Sequence, residues 1–126
     1  VGLGVGFIGH TLNDVLSYGS VWFSWVIATA FFGVCMGLLG KMIKPENFDK
    51  AKAVKFIIGD IIISLLTWVA IAPALDIIIY KEPQGKVFIQ GFAAALSNAF
   101  VVAVLGTILI FAFSKTIVSK GSLKKE

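Results

Sequence analysis

Charged residues divide this chain into long apolar runs. No Asp, Glu, Lys or Arg occurs from residue 15 to residue 40, or from residue 87 to residue 114. A helix needs about 20 apolar residues to cross the hydrocarbon core of a bilayer, so both runs are long enough. Between them, residues 56–80 carry no charge apart from Asp60 and Asp76. The pattern predicts transmembrane helices at 21–40, 56–80 and 87–114. Pro45 and the Asn47–Asp49 turn residues break the chain between the first two spans, and Pro83 and Gly85 break it between the second and third. The opening segment 1–13, VGLGVGFIGHTLN, has helical spacing but is too short to span, and a polar link at Asp14–Ser20 follows it. It reads as the end of a spanning helix. The expected fold is an all-α integral membrane bundle: three full transmembrane helices plus the end of a fourth, one domain over 1–126 with a tail at 115–126.

Composition agrees with a lipid environment. Of 126 residues, 58% are hydrophobic and 14% charged, against about 25% charged in an average soluble domain. A fold this small has too few polar groups to cover itself in water. All the basic residues are lysine, so no bidentate guanidinium is available for phosphate or a base. The net charge of +4 is explained by topology and not by nucleic acid. Five lysines fall in the 41–55 loop (Lys41, Lys44, Lys50, Lys52, Lys55) and four in the tail (Lys115, Lys120, Lys124, Lys125), against Lys81 and Lys86 on the other side. The positive-inside rule places the loop and the C-terminus in the cytoplasm. Trp22 and Trp25 then lie at the outer interface, where an amphipathic indole is favoured.

Signals for catalysis are weak. The single histidine, His10, cannot supply a paired-histidine zinc motif, and Cys35 reads as a small core residue. Gly4, Gly6 and Gly9 spell the dinucleotide pattern G-x-G-x-x-G, but lack the strand before and the acid after that the chemistry requires. Asp60 and Asp76, sixteen residues apart on one helix, stand about 24 Å apart and cannot act as a direct acid pair. No phosphate-binding loop is present. The reading is a non-enzyme without metal or cofactor.

Binding and packing are better supported. Thr29, Gly33 and Gly37 repeat at four-residue spacing, the small-residue stripe that lets helix backbones approach in lipid. Intramembrane acids are expensive and tend to be functional. Asp60, set about one turn inside the lysine-rich end with Ser64 and Thr67 on its face, reads as structural, snorkelling or pairing with a loop lysine. Asp76 follows Pro73, which should bend the helix and free backbone carbonyls; a binding role and an interfacial cap both fit it. Polar groups collect toward the same end elsewhere: His10, Asn13 and Asp14; Gln90, Ser97 and Asn98 on one stripe; Tyr80 and Glu82. With Trp22 and Trp25 they make the aromatic walls and placed polar groups of a small-molecule site. The candidate substrate-binding residues are Asn13, Asp14, Trp22, Trp25, Asp76, Tyr80, Gln90 and Asn98, with the tryptophans stacking on a ligand ring. A non-transporting membrane scaffold, its polar residues only joining helices, is the alternative.

Three stretches carry a family resemblance: GFIGHTLNDVLSYGSVWFSWVIATAFFGVCMGLLGK (6–41), WVAIAPALDIIIYKEPQGKVFIQG (68–91) and NAFVVAVLGTIL (98–109). They resemble the substrate-binding S component of energy-coupling factor (ECF) transporters. The likeness is closest to the riboflavin-type branch and, within it, to proteins assigned to thiamine-precursor (hydroxymethylpyrimidine) or pyridoxine uptake. The resemblance implies six helices with both termini cytoplasmic, of which this sequence is the end of the third plus the fourth to sixth. It also implies a bacterial plasma membrane, capture of a vitamin or vitamin precursor near the outer face, and delivery through a transmembrane coupling subunit driven by two ATPases. The family's first helix, which docks on the coupling subunit, and the binding loop after it have no counterpart in this sequence, which reads as an N-terminally truncated S component.

Overall fold

The computed structural model describes residues 1–117; Lys120, Lys124 and Lys125, assigned above to the tail, lie outside the described residues. Four helices follow one another: α1 (Gly2–Tyr18), α2 (Phe23–Ile43), α3 (Lys50–Tyr80) and α4 (Gln84–Ser114). No strand occurs among the described residues. Helices α2, α3 and α4 are each long and apolar enough to cross a membrane. The protein is an all-helical, multi-pass membrane protein.

The helix ends differ from the sequence expectation, for local reasons. The stretch Asp14–Ser20, expected as a link, is helical as far as Tyr18. Gly19 ends the helix at φ 70°, a left-handed conformation that glycine adopts without strain, and its N–H bonds the Val15 carbonyl at 3.0 Å. Helix α3 begins at Lys50, six residues before the expected 56, because the Asp49 carboxylate accepts from the Lys52 N–H at 2.9 Å and caps it. In the loop between α2 and α3, the Lys52 ammonium donates to the carbonyls of Lys44 and Glu46.

Pro73 was expected to bend α3 and free backbone carbonyls. The helix accommodates it with widened, π-helical turns at Leu66–Ile71 and Asp76–Tyr80, on either side of a single α-turn. The Ala72 N–H reaches back five residues to the Thr67 carbonyl. Wide turns of this kind take up a residue that cannot bond at the ordinary spacing, and they often occur where side chains must be re-aimed. Helix α4 has one such turn at Val102–Gly106.

Small residues decide which helices touch. A Cβ on Gly2 would collide with the Gly33 backbone, one on Gly33 with the Gly2 backbone, and one on Gly6 with the Thr29 carbonyl. Helices α1 and α2 therefore pack backbone to backbone. Gly91 lies in the same way against the Trp68 carbonyl and the Pro73 ring, closing α4 onto α3. The core between α2, α3 and α4 is built on Ala28, Trp68, Ala72 and Ala95. Trp25 stacks on Trp68 with centroids 5.6 Å apart. Most large apolar side chains face outward, among them Leu3, Ile8, Phe92, Leu96 and Phe100, as a bundle solvated by lipid allows.

Candidate binding cavity

The cavity is held by one carboxylate. Asp76 sits at the start of the second widened turn of α3, 2% exposed. Its Oδ1 accepts from the Trp22 indole N–H at 2.8 Å and from the Ser24 hydroxyl, and its Oδ2 accepts from the Trp25 indole N–H at 2.9 Å. Three donors from the first turn of α2 thus converge on one anion from α3. Hydrogen bonds to a charged acceptor are each stabilising by about 1.5–3 kcal/mol. Asp76 thereby fixes both tryptophan rings, and the ring planes, not the N–H edges, are left to face the cavity or their neighbours.

A second acid orders the approach. Asp14, buried near the end of α1, accepts from the Trp22 backbone N–H at 2.9 Å through Oδ2. Its Oδ1 lies 3.4 Å from His10 Nε2. His10 Nδ1 lies 2.7 Å from the Thr29 hydroxyl, which donates to the Trp25 carbonyl at 2.8 Å. The direction of the His10–Thr29 hydrogen bond follows the imidazole tautomer. The contacts Asp14–His10–Thr29 tie α1 to α2 one turn beyond Trp25. Tyr80 completes the frame: its ring lies 4.6 Å from that of Trp22, and its hydroxyl accepts from the Phe23 N–H at 3.0 Å.

These contacts enclose a cavity of about 440 Å³, within the range of small-molecule sites. Its walls include Asn13, Asp14, Trp22, Trp25, Asp76 and Gln90, six of the eight residues selected from the sequence. Tyr80 stands behind Trp22 and not on the wall. Asn98 is not on the wall either: its amide is turned back to the Ala94 carbonyl at 2.9 Å. It shares a helix face with Gln90, but eight residues carry it about 12 Å farther along α4, beyond the cavity.

Other wall residues were not selected from the sequence. His10 and Glu82 were visible there as polar groups at this end; Tyr18, Ser20 and Lys86 gave no separate signal. Glu82 and Lys86 form an exposed ion pair at 2.8 Å beside the cavity. Ser24, spent on Asp76, was missed because a lone serine at a helix start is ordinary. No group of acids, histidines and cysteines suited to a metal occurs among the described residues.

The two remaining sequence expectations separate. Thr29 and Gly33 lie in the contact with α1, whereas no atom stands within 4 Å of a Cβ placed on Gly37. Asp60 neither snorkels nor meets a lysine: it is fully buried, its Oδ1 accepts from Ser64 at 3.3 Å, and Oδ2 has no partner among the described residues. The cause is the early start of α3, which sets Asp60 nearly three turns into the helix.

A family model for the S component of ECF-type riboflavin transporters matches residues 1–115. A UPF0397 protein of Lactobacillus johnsonii is 48% identical over 128 aligned positions, which take in 100% of this chain and 69% of that protein. A UPF0397 protein of Streptococcus gordonii is 42% identical, with the same coverage of each chain. One from Staphylococcus aureus is also 42% identical, covering 99% of this chain and 69% of its own length. No solved structure gives a significant match.

Proposed function

The chain belongs to the S-component family of ECF-type riboflavin transporters, and we propose that its cavity at Asp76 captures a vitamin or vitamin precursor with a flat aromatic ring. The family's members are membrane-embedded substrate-binding subunits of transporters, not enzymes. What goes further is the ligand, its side of entry and its route inward.

The observation that carries the reading is the convergence of two indole N–H groups and a serine hydroxyl on Asp76, beside a cavity of about 440 Å³. Fixing two tryptophans in advance lowers the ordering cost of binding a ring against them. Gln90 and Asn13, exposed on the wall, have amides without a hydrogen-bond partner among the described residues and so can read ring nitrogens and hydroxyls. Capture needs no covalent step. The lysine-rich 41–55 loop and the C-terminus lie in the cytoplasm on this reading, so the cavity opens outward. Release inward depends on a transmembrane coupling subunit and two ATPases, as the family implies.

Quenching of tryptophan fluorescence by riboflavin, hydroxymethylpyrimidine, thiamine and pyridoxine tests the ligand class. One of them should quench saturably, and Gln90→Ala should weaken its binding by about five- to tenfold, the loss of one or two hydrogen bonds. No saturable response to any of the four sinks the proposal.

A further inference from the structure

Gly37 belongs to the small-residue stripe of α2 but takes no part in packing against α1. It forms part of a separate groove. At the lysine-rich end of the bundle, α2, α3 and α4 enclose an apolar recess of about 370 Å³ between Gly37, Gly40, Phe56, Ile110 and Phe113, with Lys41 on its wall. A Cβ on Gly37 or Gly40 would meet nothing within 4 Å, so the two glycines leave the recess open. It lies far from the Asp76 cavity: Phe56 and Asp76 are twenty residues apart on α3, about 30 Å.

Lysine outnumbers acid beside this recess, five to two in the 41–55 loop. Lys41, Lys44, Lys50 and Lys55 have no carboxylate within salt-bridge distance among the described residues. Of the two acids in the same loop, Asp49 is used to cap α3. An occupant must therefore be apolar along the recess and anionic at the end that meets Lys41. A second copy of this chain is disfavoured, because it would bring its own lysine-rich loop against this one.

We infer that the groove between α2 and α4 binds an anionic phospholipid, with one acyl chain against Gly37 and Gly40 and the phosphate on Lys41. Basic recesses between transmembrane helices suit acidic headgroups, and one lysine near an anionic lipid supports about a fivefold preference. The glycines supply the space and the lysine the selectivity.

Native mass spectrometry of the full chain tests this, with the protein in neutral detergent and equal amounts of phosphatidylglycerol and phosphatidylcholine of matched acyl chains. The expected result is preferential retention of phosphatidylglycerol, reduced about fivefold by Lys41→Gln and by Gly37→Leu and unaffected by Lys81→Gln at the opposite end. Lys41→Gln alters an exposed side chain, so it carries the test even if Gly37→Leu fails to fold. Equal retention of the two lipids overturns the inference. So does a loss of phosphatidylglycerol that is the same for Lys41→Gln and Lys81→Gln, which marks a general surface effect. A partner protein or second copy recovered in the groove, with phosphatidylglycerol indifferent to both groove variants, also overturns it.

Discussion

Replacing Asp76 by asparagine keeps the side chain's shape and removes its charge and one acceptor. Trp22 and Ser24 donate to one oxygen and Trp25 to the other. The amide can place its oxygen toward only one of these positions. The better choice keeps Trp22 and Ser24, which sets the amide NH2 against the Trp25 indole N–H, donor against donor. The loss of one charge-assisted bond, with weakening of the others, comes to about 2–3 kcal/mol. Asp76→Ala leaves three donors without their acceptor, and roughly 3–6 kcal/mol follows, less than three full penalties because half-exposed Trp22 can turn to water. Denaturant titration of the purified protein measures both, and the indole N–H resonances report the cause. In Asp76→Asn the Trp25 resonance should move most and that of Trp68, which has no bond to Asp76, least. A double-mutant cycle between Asp76→Asn and Trp25→Phe should give a coupling of about 1–2 kcal/mol. If Asp76→Asn is as stable as wild type and no indole resonance moves, the convergence of α2 on Asp76 is not what fixes the cavity.

Glycines of one stripe should respond in opposite directions. Gly33→Ala must push α1 and α2 apart and should cost about 1–3 kcal/mol, whereas Gly37→Ala should be neutral or stabilising by up to about 1 kcal/mol, since it adds helix propensity in open space; thermal unfolding separates them. Asp49→Ala removes the cap of α3 and should lower stability by about 1 kcal/mol, read from the same melts. Glu82→Gln breaks only an exposed ion pair and should change stability by less than about 0.5 kcal/mol. Asn98→Ala should leave ligand affinity unchanged, because its amide is bonded to Ala94 outside the cavity, and equilibrium binding checks it.

The spans were legible because lipid imposes a simple rule, and charge-free runs of the required length satisfy it without tertiary information. Asp76 stood out for the same reason, as an acid where acids are expensive. Its partners did not. Residues 22–25 lie more than fifty positions away, and nothing in their spelling says that two indoles and a serine point at one carboxylate. Asn98 illustrates the opposite error: helical spacing fixes the face of a residue but not its depth, and depth removes it from the cavity. Gly33 and Gly37 look alike in sequence, yet α1 covers only the first. The early start of α3 depended on one side-chain cap at Asp49, a signal that a hydropathy pattern passes over.

Equilibrium binding of the four candidate vitamins and precursors to the purified protein, alongside Gln90→Ala and Asn98→Ala, tests ligand capture at this cavity most directly. Capture at the Asp76 cavity predicts saturable binding of one ring-bearing ligand at one site per chain, weakened about five- to tenfold by Gln90→Ala and untouched by Asn98→Ala. Binding of none of them, or an affinity that ignores Gln90 while depending on Asn98, contradicts it.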